Sequence, residues 1–155
     1  MDKLNFVKYS EKYVDLSWDW LHDPEIKKLV MSSDISKEDQ VRWFERLINR
    51  NDYYIWGIEL NDAPIGAVGI KNIDLNSKKG EYFGYIGAKE FWGRGIGWEM
   101  LNFVVSFAMQ KGLNEVYLRV SKDNTRAIRL YERYGFSYIE QDGTENTFLL
   151  AIKIK

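Results

Sequence analysis

The sequence contains no cysteine, and histidine and proline are almost absent from its 155 residues. Without cysteine, a disulfide framework and a thiolate metal site are both excluded. The single histidine, His22, cannot form a multi-histidine metal site or a serine-type triad by itself, so we expect a surface residue and no bound metal. Pro24 and Pro64 stand singly, so no proline-rich linker divides the chain. We therefore expect one domain over residues 1–155.

An excess of charge of one sign is also lacking. Lysine and arginine total 22, aspartate and glutamate total 23, and the formal net charge is −1. Mixed charges create no long-range field that would attract a polyanion, so we expect no nucleic-acid partner. Long hydrophobic runs are missing as well, so we expect no membrane-spanning segment. Residues 1–5 lack the apolar core of a secretory signal, and the expected compartment is the cytoplasm.

What is present is a regular alternation of strand-like and helix-like segments. Strands are predicted at 4–8, 53–60, 65–75, 81–87, 116–120, 137–141 and 147–154. Helices are predicted from Ser10 through Trp20, from Asp23-Pro24, from Ile35-Ser36, over 95–110 with Gly112 at the cap, and over 125–134. Short turns join three consecutive antiparallel strands after residue 53. The predicted fold class is therefore α/β (α+β), a mixed, mostly antiparallel sheet of about seven strands flanked by helices.

Serines are expected to cap two of these helices. Ser10 precedes the first helix, and Ser36 precedes the third, with Asp39 three residues further on. The apolar residues of the third helix recur at helical spacing and predict a face that packs on the sheet. That face consists of Val41, Phe44, Leu47 and Ile48.

The stretch 91–97, Phe-Trp-Gly-Arg-Gly-Ile-Gly, lies between a predicted strand and the long amphipathic helix. Glycines at 93, 95 and 97 let a ligand approach the backbone, and a helix start offers unpaired N–H groups and the positive end of the macrodipole. Phosphate oxygens suit such a site. The spacing matches neither a Walker loop nor the glycine pattern of dinucleotide folds. Taken alone, the glycines could also serve only to make a tight strand-to-helix turn.

A second motif follows at 124–136, and the two together resemble the Gcn5-related N-acetyltransferase (GNAT) family. This segment has the family's Asn-x-x-Ala-x-x-x-Tyr-x-x-x-Gly-Phe pattern. The glycine stretch is similar to the family's Gln/Arg-x-x-Gly-x-Gly/Ala motif, except that Trp92 replaces the usual polar first residue. The similarity covers nearly the whole chain and implies a sheet that splays between strands 4 and 5. The branch it resembles contains ribosomal-protein and amino-sugar nucleotide N-acetyltransferases.

The resemblance implies acetyl-coenzyme A (acetyl-CoA) as co-substrate and a set of residues that bind it. The glycine turn would bind the pyrophosphate through the backbone, and main-chain groups near Ile86 would bind the pantetheine arm and polarise the acetyl carbonyl. Gly84 and Gly87 fit a bulged strand or a close approach of another chain. Asn124 would hydrogen-bond the pantetheine or only cap the next helix. The implied set is Tyr85, Ile86, Gly87, Trp92, Gly93, Arg94, Gly95, Ile96, Gly97, Asn124, Ala127 and Tyr131.

Two residues are predicted to act in catalysis. Tyr131 is the candidate acid that protonates the departing thiolate, because family members place this tyrosine beside the thioester sulfur. Many relatives carry a glutamate base where this chain has Arg119, so Glu81 at the start of the splayed strand is the replacement candidate. A proton relayed through water remains an alternative to a side-chain base.

The sequence defines the acceptor substrate less narrowly than the acetyl donor. The N-terminal helices form the acceptor wall in this family, and here they carry Trp18, Trp20, Met31, Trp43 and Phe44. We rank a small primary amine first, with an amino-sugar nucleotide as its leading form, and a protein N-terminus or a polyamine second. A CoA-binding module without catalysis is the alternative of another class. Monomer and homodimer both stay open.

Overall fold

One sheet of seven strands organises the computed structural model, which describes residues 2–32, 35–139 and 144–154. The strands are β1 (Leu4–Lys8), β2 (Tyr54–Leu60), β3 (Ala63–Asp74), β4 (Lys79–Ile86), β5 (Glu115–Ser121), β6 (Ser137–Tyr138) and β7 (Thr147–Lys153). The helices are α1 (Glu11–His22), α2 (Pro24–Val30), α3 (Lys37–Leu47), α4 (Ile96–Gln110) and α5 (Thr125–Tyr134), with a 3₁₀ turn at Lys89–Phe91. The predicted fold class is confirmed.

The predicted strand at 137–141 is shorter than expected within the described residues. It ends at Tyr138, and residues 140 and 141 lie outside the described part of the chain. Among the helices of the described ranges, none is long and apolar enough to cross a membrane.

The strand order is β1-β2-β3-β4-β5-β7-β6, and β4 and β5 form the parallel pair among otherwise antiparallel neighbours. This pair is short. It holds from Lys79 opposite Glu115 to Glu81 opposite Tyr117, although β4 continues to Ile86. Beyond Glu81 the two strands are no longer paired, which confirms the predicted splay between strands 4 and 5.

Strand β4 sends alternate side chains to the two faces of the sheet, as any strand does. Tyr82 belongs to the large cluster that contains Met100 and Leu101 of α4. Tyr85 packs against the smaller cluster formed around Tyr9 and Tyr13. The opening between β4 and β5 therefore connects a face covered by α4 and α5 with a face covered by α1 and α3.

Of the two serines expected to cap helices, Ser36 does so and Ser10 does not. Ser36 Oγ accepts the Asp39 N–H at 3.1 Å, and Asp23 accepts the N–H groups of the first turn of α2. Ser10 occupies the cap position of α1, but its side chain makes no capping hydrogen bond. That part of the prediction was wrong, and backbone hydrogen bonds to the Ser10 carbonyl form the first turn instead.

The predicted packing face of α3 was only partly right, because Phe44 packs against the Tyr9 cluster but Val41 and Ile48 do not face the core. Val41 and Ile48 are 40% and 87% exposed, whereas Gln40 is buried. Gln40 Nε2 donates to Ser17 Oγ at 2.7 Å, so a polar side chain takes a core position because it finds a buried partner. The helix thereby turns Gln40, Trp43 and Phe44 inward.

The bulge expected at Gly84 is absent, because the β3–β4 register is continuous from Ile86 to Glu81. At Gly87 the chain does bulge, since the N–H groups of Gly87 and Ala88 both donate to the Ile65 carbonyl, at 2.7 and 3.1 Å. Close packing explains both glycines. A Cβ at Gly84 would lie 2.8 Å from Met100 Cε, and one at Gly87 would lie 2.2 Å from the Trp20 ring.

A further irregularity of the β3–β4 register lies on β3, between Lys71 and Asp74, where Asn72 has a left-handed φ of 53°.

Candidate active site

The glycine turn has the geometry that anion binding through the backbone requires. Gly93 and Gly95 have φ angles of 77° and 80°, in the left-handed region that favours glycine, and a Cβ at either would meet nothing within 4 Å. Gly95 is the N-cap of α4 and supplies no side-chain cap, so the first-turn N–H groups from Ile96 onward lack a side-chain partner at the cap. An open helix mouth of this kind suits a diphosphate.

Gly97 has a different role from the other two glycines. A Cβ at this position would lie 2.6 Å from Leu130 Cδ2 on α5. Gly97 therefore permits α4 and α5 to pack closely at the turn.

Trp92, which departs from the family motif, ties the turn to the end of β4. Its Nε1 donates to the Ile86 carbonyl at 2.8 Å. The Arg126 guanidinium lies 5.7 Å from the Trp92 ring centre, and that of Arg94 lies 5.1 Å from the Phe91 ring centre. Two permanent positive charges thus flank the helix mouth, which favours an anion there.

The main chain of β4 points in two directions. The Gly87 N–H donates to the Ile65 carbonyl on β3 at 2.7 Å. Because an antiparallel ladder alternates, the groups of Tyr85 face β3 as well, whereas those of Gly84 and Ile86 face the opening toward β5. The main-chain groups of Tyr85 and the Gly87 N–H thus face β3, which does not fit their expected role in binding pantetheine. The Ile86 N–H faces the opening, and its role as donor to the acetyl carbonyl stays a prediction.

A cavity of about 730 Å³ lies where β4 and β5 separate. Four of the predicted site residues line it, Glu81, Tyr85, Asn124 and Tyr131. It extends from Tyr9 and Ser17 at one face of the sheet to α5 at the other. The fold therefore brings both candidate catalytic side chains to one space.

Tyr131 reaches the cavity from α5, on the face covered by α4 and α5. Its ring packs edge-on against Tyr82 with centroids 6.2 Å apart, and against Phe136 at 5.8 Å. Burial raises the pKa of Tyr131 to about 12. The phenol therefore stays protonated at neutral pH and can act as an O–H donor.

Asn124 has a capping role that does not exhaust its hydrogen-bonding capacity. It is the N-cap of α5, where its Oδ1 accepts the Ala127 N–H at 3.3 Å. Its side chain also lines the cavity, and the amide nitrogen has no partner among the described residues. Asn124 can therefore cap the helix and donate to a ligand together.

Glu81 is a buried carboxylate, 7% exposed, at the point where the sheet opens. Asn72 Nδ2 donates to its Oε1 at 2.9 Å. Lys71 and Arg119 line the same cavity. Successive side chains of a strand point to opposite faces, so Glu81 and its neighbour Tyr82 lie on different faces of the sheet. Tyr82 packs on Tyr131, and Glu81 and Tyr131 therefore approach the cavity from opposite faces.

The predicted acceptor wall is only partly formed by the residues named for it. Met31 and Trp43 line the cavity. Trp20 packs edge-on against Tyr85 with ring centroids 6.2 Å apart, Phe44 belongs to the Tyr9 cluster, and Trp18 lies against the exposed His22 at 4.2 Å.

Sequence reasoning missed the polar side chains on this wall. Tyr9 OH donates to Ser17 Oγ at 2.9 Å, and Gln40 donates to the same oxygen. The available signal was a polar residue at a core position of each helix, Ser17 in α1 and Gln40 in α3. Asn72 could not be identified in this way, because the alternation of polar and apolar residues in a strand does not predict the position of a bulge.

A glycine turn at a helix mouth, set beside a parted pair of parallel strands, defines an acetyltransferase fold. The model of the acetyltransferase (GNAT) family matches residues 10–136, and the chain belongs to this family. The acetyltransferase PseH of Campylobacter jejuni is 22% identical over 139 residues, which cover 89% of this chain and 85% of PseH. An uncharacterised Methanocaldococcus jannaschii protein, MJ1062, is 26% identical over 155 residues, but the match spans only 31% of its length.

Solved structures show the same fold. The spermidine N-acetyltransferase of Vibrio cholerae, in complex with CoA and spermine, superposes with a TM-score of 0.88 at 18% identity, covering 97% of this chain and 95% of that one. PseH in complex with acetyl-CoA gives a TM-score of 0.72 at 18% identity, with both chains covered completely.

Proposed function

We propose that this chain transfers the acetyl group of acetyl-CoA to a primary amine of a small molecule, by direct attack while both substrates are bound. The observation that carries the proposal is that Glu81 and Tyr131 both line one cavity at the opening between β4 and β5. An acetyl donor can enter from the α4 and α5 face and an amine from the α1 and α3 face. The PseH complex with acetyl-CoA supports the choice of donor.

The residues present fit the coenzyme. The helix mouth at Gly95 and the charges of Arg94 and Arg126 would hold the diphosphate. The Asn124 amide and the Ile86 N–H would hold the pantetheine arm and the acetyl carbonyl. Bound acetyl-CoA supplies the thioester from which the amine takes its acyl group.

The two catalytic candidates address the two proton transfers. An amine with a pKa near about 10.4 is almost wholly protonated near neutral pH, and its deprotonation costs roughly 4 kcal/mol. Glu81 would accept that proton directly or through a water molecule. Tyr131 would donate its O–H toward the sulfur, and its raised pKa keeps that proton in place.

The cavity favours an acceptor that is not a polycation. Its charged lining residues are balanced, with Asp39 and Glu81 against Lys71 and Arg119. Trp43 and Tyr53 lie edge to face at 5.8 Å, and rings of this kind suit an apolar or planar group. An amino-sugar nucleotide, with one amine and a planar base, fits this lining better than a polyamine.

The test is thiol release from acetyl-CoA with a panel of an amino-sugar nucleotide, spermidine and a peptide with a free N-terminus. We expect turnover with the amino-sugar nucleotide above the other two. Faster turnover of spermidine would replace the acceptor by a polyamine, as the spermine complex of the Vibrio cholerae relative suggests. Binding of acetyl-CoA without turnover of any amine would support a non-catalytic module. Sedimentation would distinguish monomer from homodimer.

A further inference from the structure

The bulge in β3 places one side chain at the edge of the candidate active site. Lys71 pairs with Glu81 and Asp74 pairs with Lys79, so two residues of β3 lie opposite the single Gly80 of β4. Asn72 is the first of these two and has a φ of 53°. A left-handed asparagine within a bulge is a local conformation that re-aims a side chain.

The re-aimed side chain meets Glu81. Asn72 Nδ2 donates to Glu81 Oε1 at 2.9 Å, and a carboxylate can only accept such a bond. Glu81 is 7% exposed, whereas Asn72 is exposed, so the amide reaches inward from the surface. Within the described residues, no other side chain hydrogen-bonds to Glu81.

The charged and titratable groups around Glu81 come from three elements. Lys71 lies directly opposite on β3, Tyr117 lies opposite on β5, and Arg119 follows on β5. Burial is the main cause that raises the pKa of both Tyr117 and Tyr53. The charge of Glu81 is a smaller cause in each case. Across the described ranges, neither Lys71 nor Arg119 forms an ion pair with Glu81, so Asn72 is its direct polar contact.

We propose that Asn72 is a positioning residue that fixes Glu81 Oε1 and leaves Oε2 free to accept the proton of the acceptor amine. The inference rests on the proposed function, in which Glu81 is the base. A buried carboxylate without a donor is disfavoured in its charged form, which is the form a base needs. The amide therefore has two effects, on the orientation of the carboxylate and on its charge.

The test is Asn72→Gly, which keeps the left-handed backbone and removes only the amide. We expect kcat to fall about five- to tenfold, the size expected for the loss of one hydrogen bond to a charged group at a partly exposed site, and the acid limb of the kcat/KM profile to move to higher pH. Asn61→Gly is the matched control, since Asn61 has a φ of 52° in the β2–β3 turn. Acetyl-CoA affinity should stay constant in both variants.

Asn72→Asp provides the opposite change at the same backbone conformation. A second carboxylate beside Glu81 should move the acid limb further up than Asn72→Gly does. In a Glu81→Gln background, both substitutions should lose their effect on the profile, because the residue through which they act is gone.

An unchanged kcat and acid limb in Asn72→Gly would overturn the inference and leave Asn72 as a backbone residue of the bulge. The same would follow from an unchanged profile in Asn72→Asp, should Asn72→Gly fail to fold. Either result leaves wild-type turnover intact, whereas an absence of wild-type turnover would overturn the proposed function itself.

Discussion

The two faces of the sheet around the β4–β5 opening are built on different principles. On the face of α4 and α5, the candidate coenzyme site consists mainly of backbone groups, held by glycines at Gly93 and Gly95. On the face of α1 and α3, the candidate acceptor site consists of side chains, among them Trp43 and Glu81. Backbone binding needs fixed glycines and therefore leaves a sequence motif, whereas side-chain binding can be achieved with many residue types.

The faces also differ in their packing. The α4 and α5 side has a large core that includes Leu101 and Val104, both fully buried. The α1 and α3 side contains a buried polar group, Ser17, that accepts hydrogen bonds from Tyr9 and Gln40. Buried hydrogen-bonded groups impose geometry, so this wall is expected to hold its shape when an acceptor binds.

The largest effect is expected from Gly95→Val, which alters the backbone site on the face of α4 and α5. A β-branched residue at a φ of 80° is strained, and its side chain would enter the open space above the helix mouth. We expect acetyl-CoA affinity to fall at least about a hundredfold, since the strain and the blocked anion site act together. Calorimetry of the folded variant measures this.

Gly112→Val is the control for Gly95→Val. Gly112 follows α4, has a φ of 83° and is equally open, so it has the strain but lies outside the candidate site. Gly97→Val is a poorer probe, because its side chain would collide with Leu130. Unchanged coenzyme affinity in folded Gly95→Val would remove the backbone site from the proposal.

The acceptor face is tested next by Glu81→Gln, which keeps the side-chain shape and the hydrogen bond from Asn72 but removes the proposed base. We expect kcat near neutral pH to fall about a hundredfold, with recovery as the pH rises and the amine loses its proton without help. Glu59→Gln serves as control, since Glu59 is a partly buried carboxylate on β2 that pairs with Lys12. A flat ratio of variant to wild-type rates across pH would eliminate Glu81 as base.

The sequence predicted most of the fold and about half of the candidate site, and the division follows the two faces. The turn around Gly95 and the bounds of α5 followed from the glycine stretch and from the motif at 124–136. The α3 face was wrong in part, because Gln40 takes a core position by donating to Ser17 on another helix. Such a contact depends on tertiary distance, which periodicity cannot supply.

At the candidate site, too, the surroundings of Glu81 and Asn72 depend on tertiary contacts that the sequence pattern does not predict. Glu81 could be named as a candidate, but its burial and its place at the end of the parallel pairing required the structure. Asn72 could not be named, because its left-handed φ arises from the mismatch between β3 and β4.

Tyr131→Phe tests the donor on the coenzyme side without disturbing the backbone site. We expect kcat to fall about tenfold to thirtyfold and acetyl-CoA affinity to stay within about twofold, because only the O–H is lost. Tyr134→Phe is the matched control on the same helix, since its hydroxyl bonds to Asn102 outside the cavity. An unchanged kcat in Tyr131→Phe would exclude Tyr131 as the acid.

The pH profile sharpens that assignment. In the proposed mechanism the protonated form of Tyr131 is the active one, and burial raises its pKa to about 12, above the ordinary tyrosine range. The wild-type rate should therefore show no alkaline loss from Tyr131 below about pH 11. An alkaline limb near pH 9 that disappears in Tyr131→Phe would contradict the burial of this phenol.

The smallest effect is expected from a change at Trp92, whose side chain hydrogen-bonds to the end of β4, the strand that lies between the two faces. Trp92→Phe keeps a ring beside Arg126 but removes the Nε1 bond to the Ile86 carbonyl. We expect acetyl-CoA to bind about three- to fivefold more weakly, as for the loss of one neutral hydrogen bond, with kcat for bound substrates unchanged. Trp98→Phe, at a 39% exposed position on α4, controls for loss of an indole. A fall in kcat with constant affinity would instead place Trp92 with the catalytic groups, since the Ile86 N–H would then have lost its aim at the acetyl carbonyl.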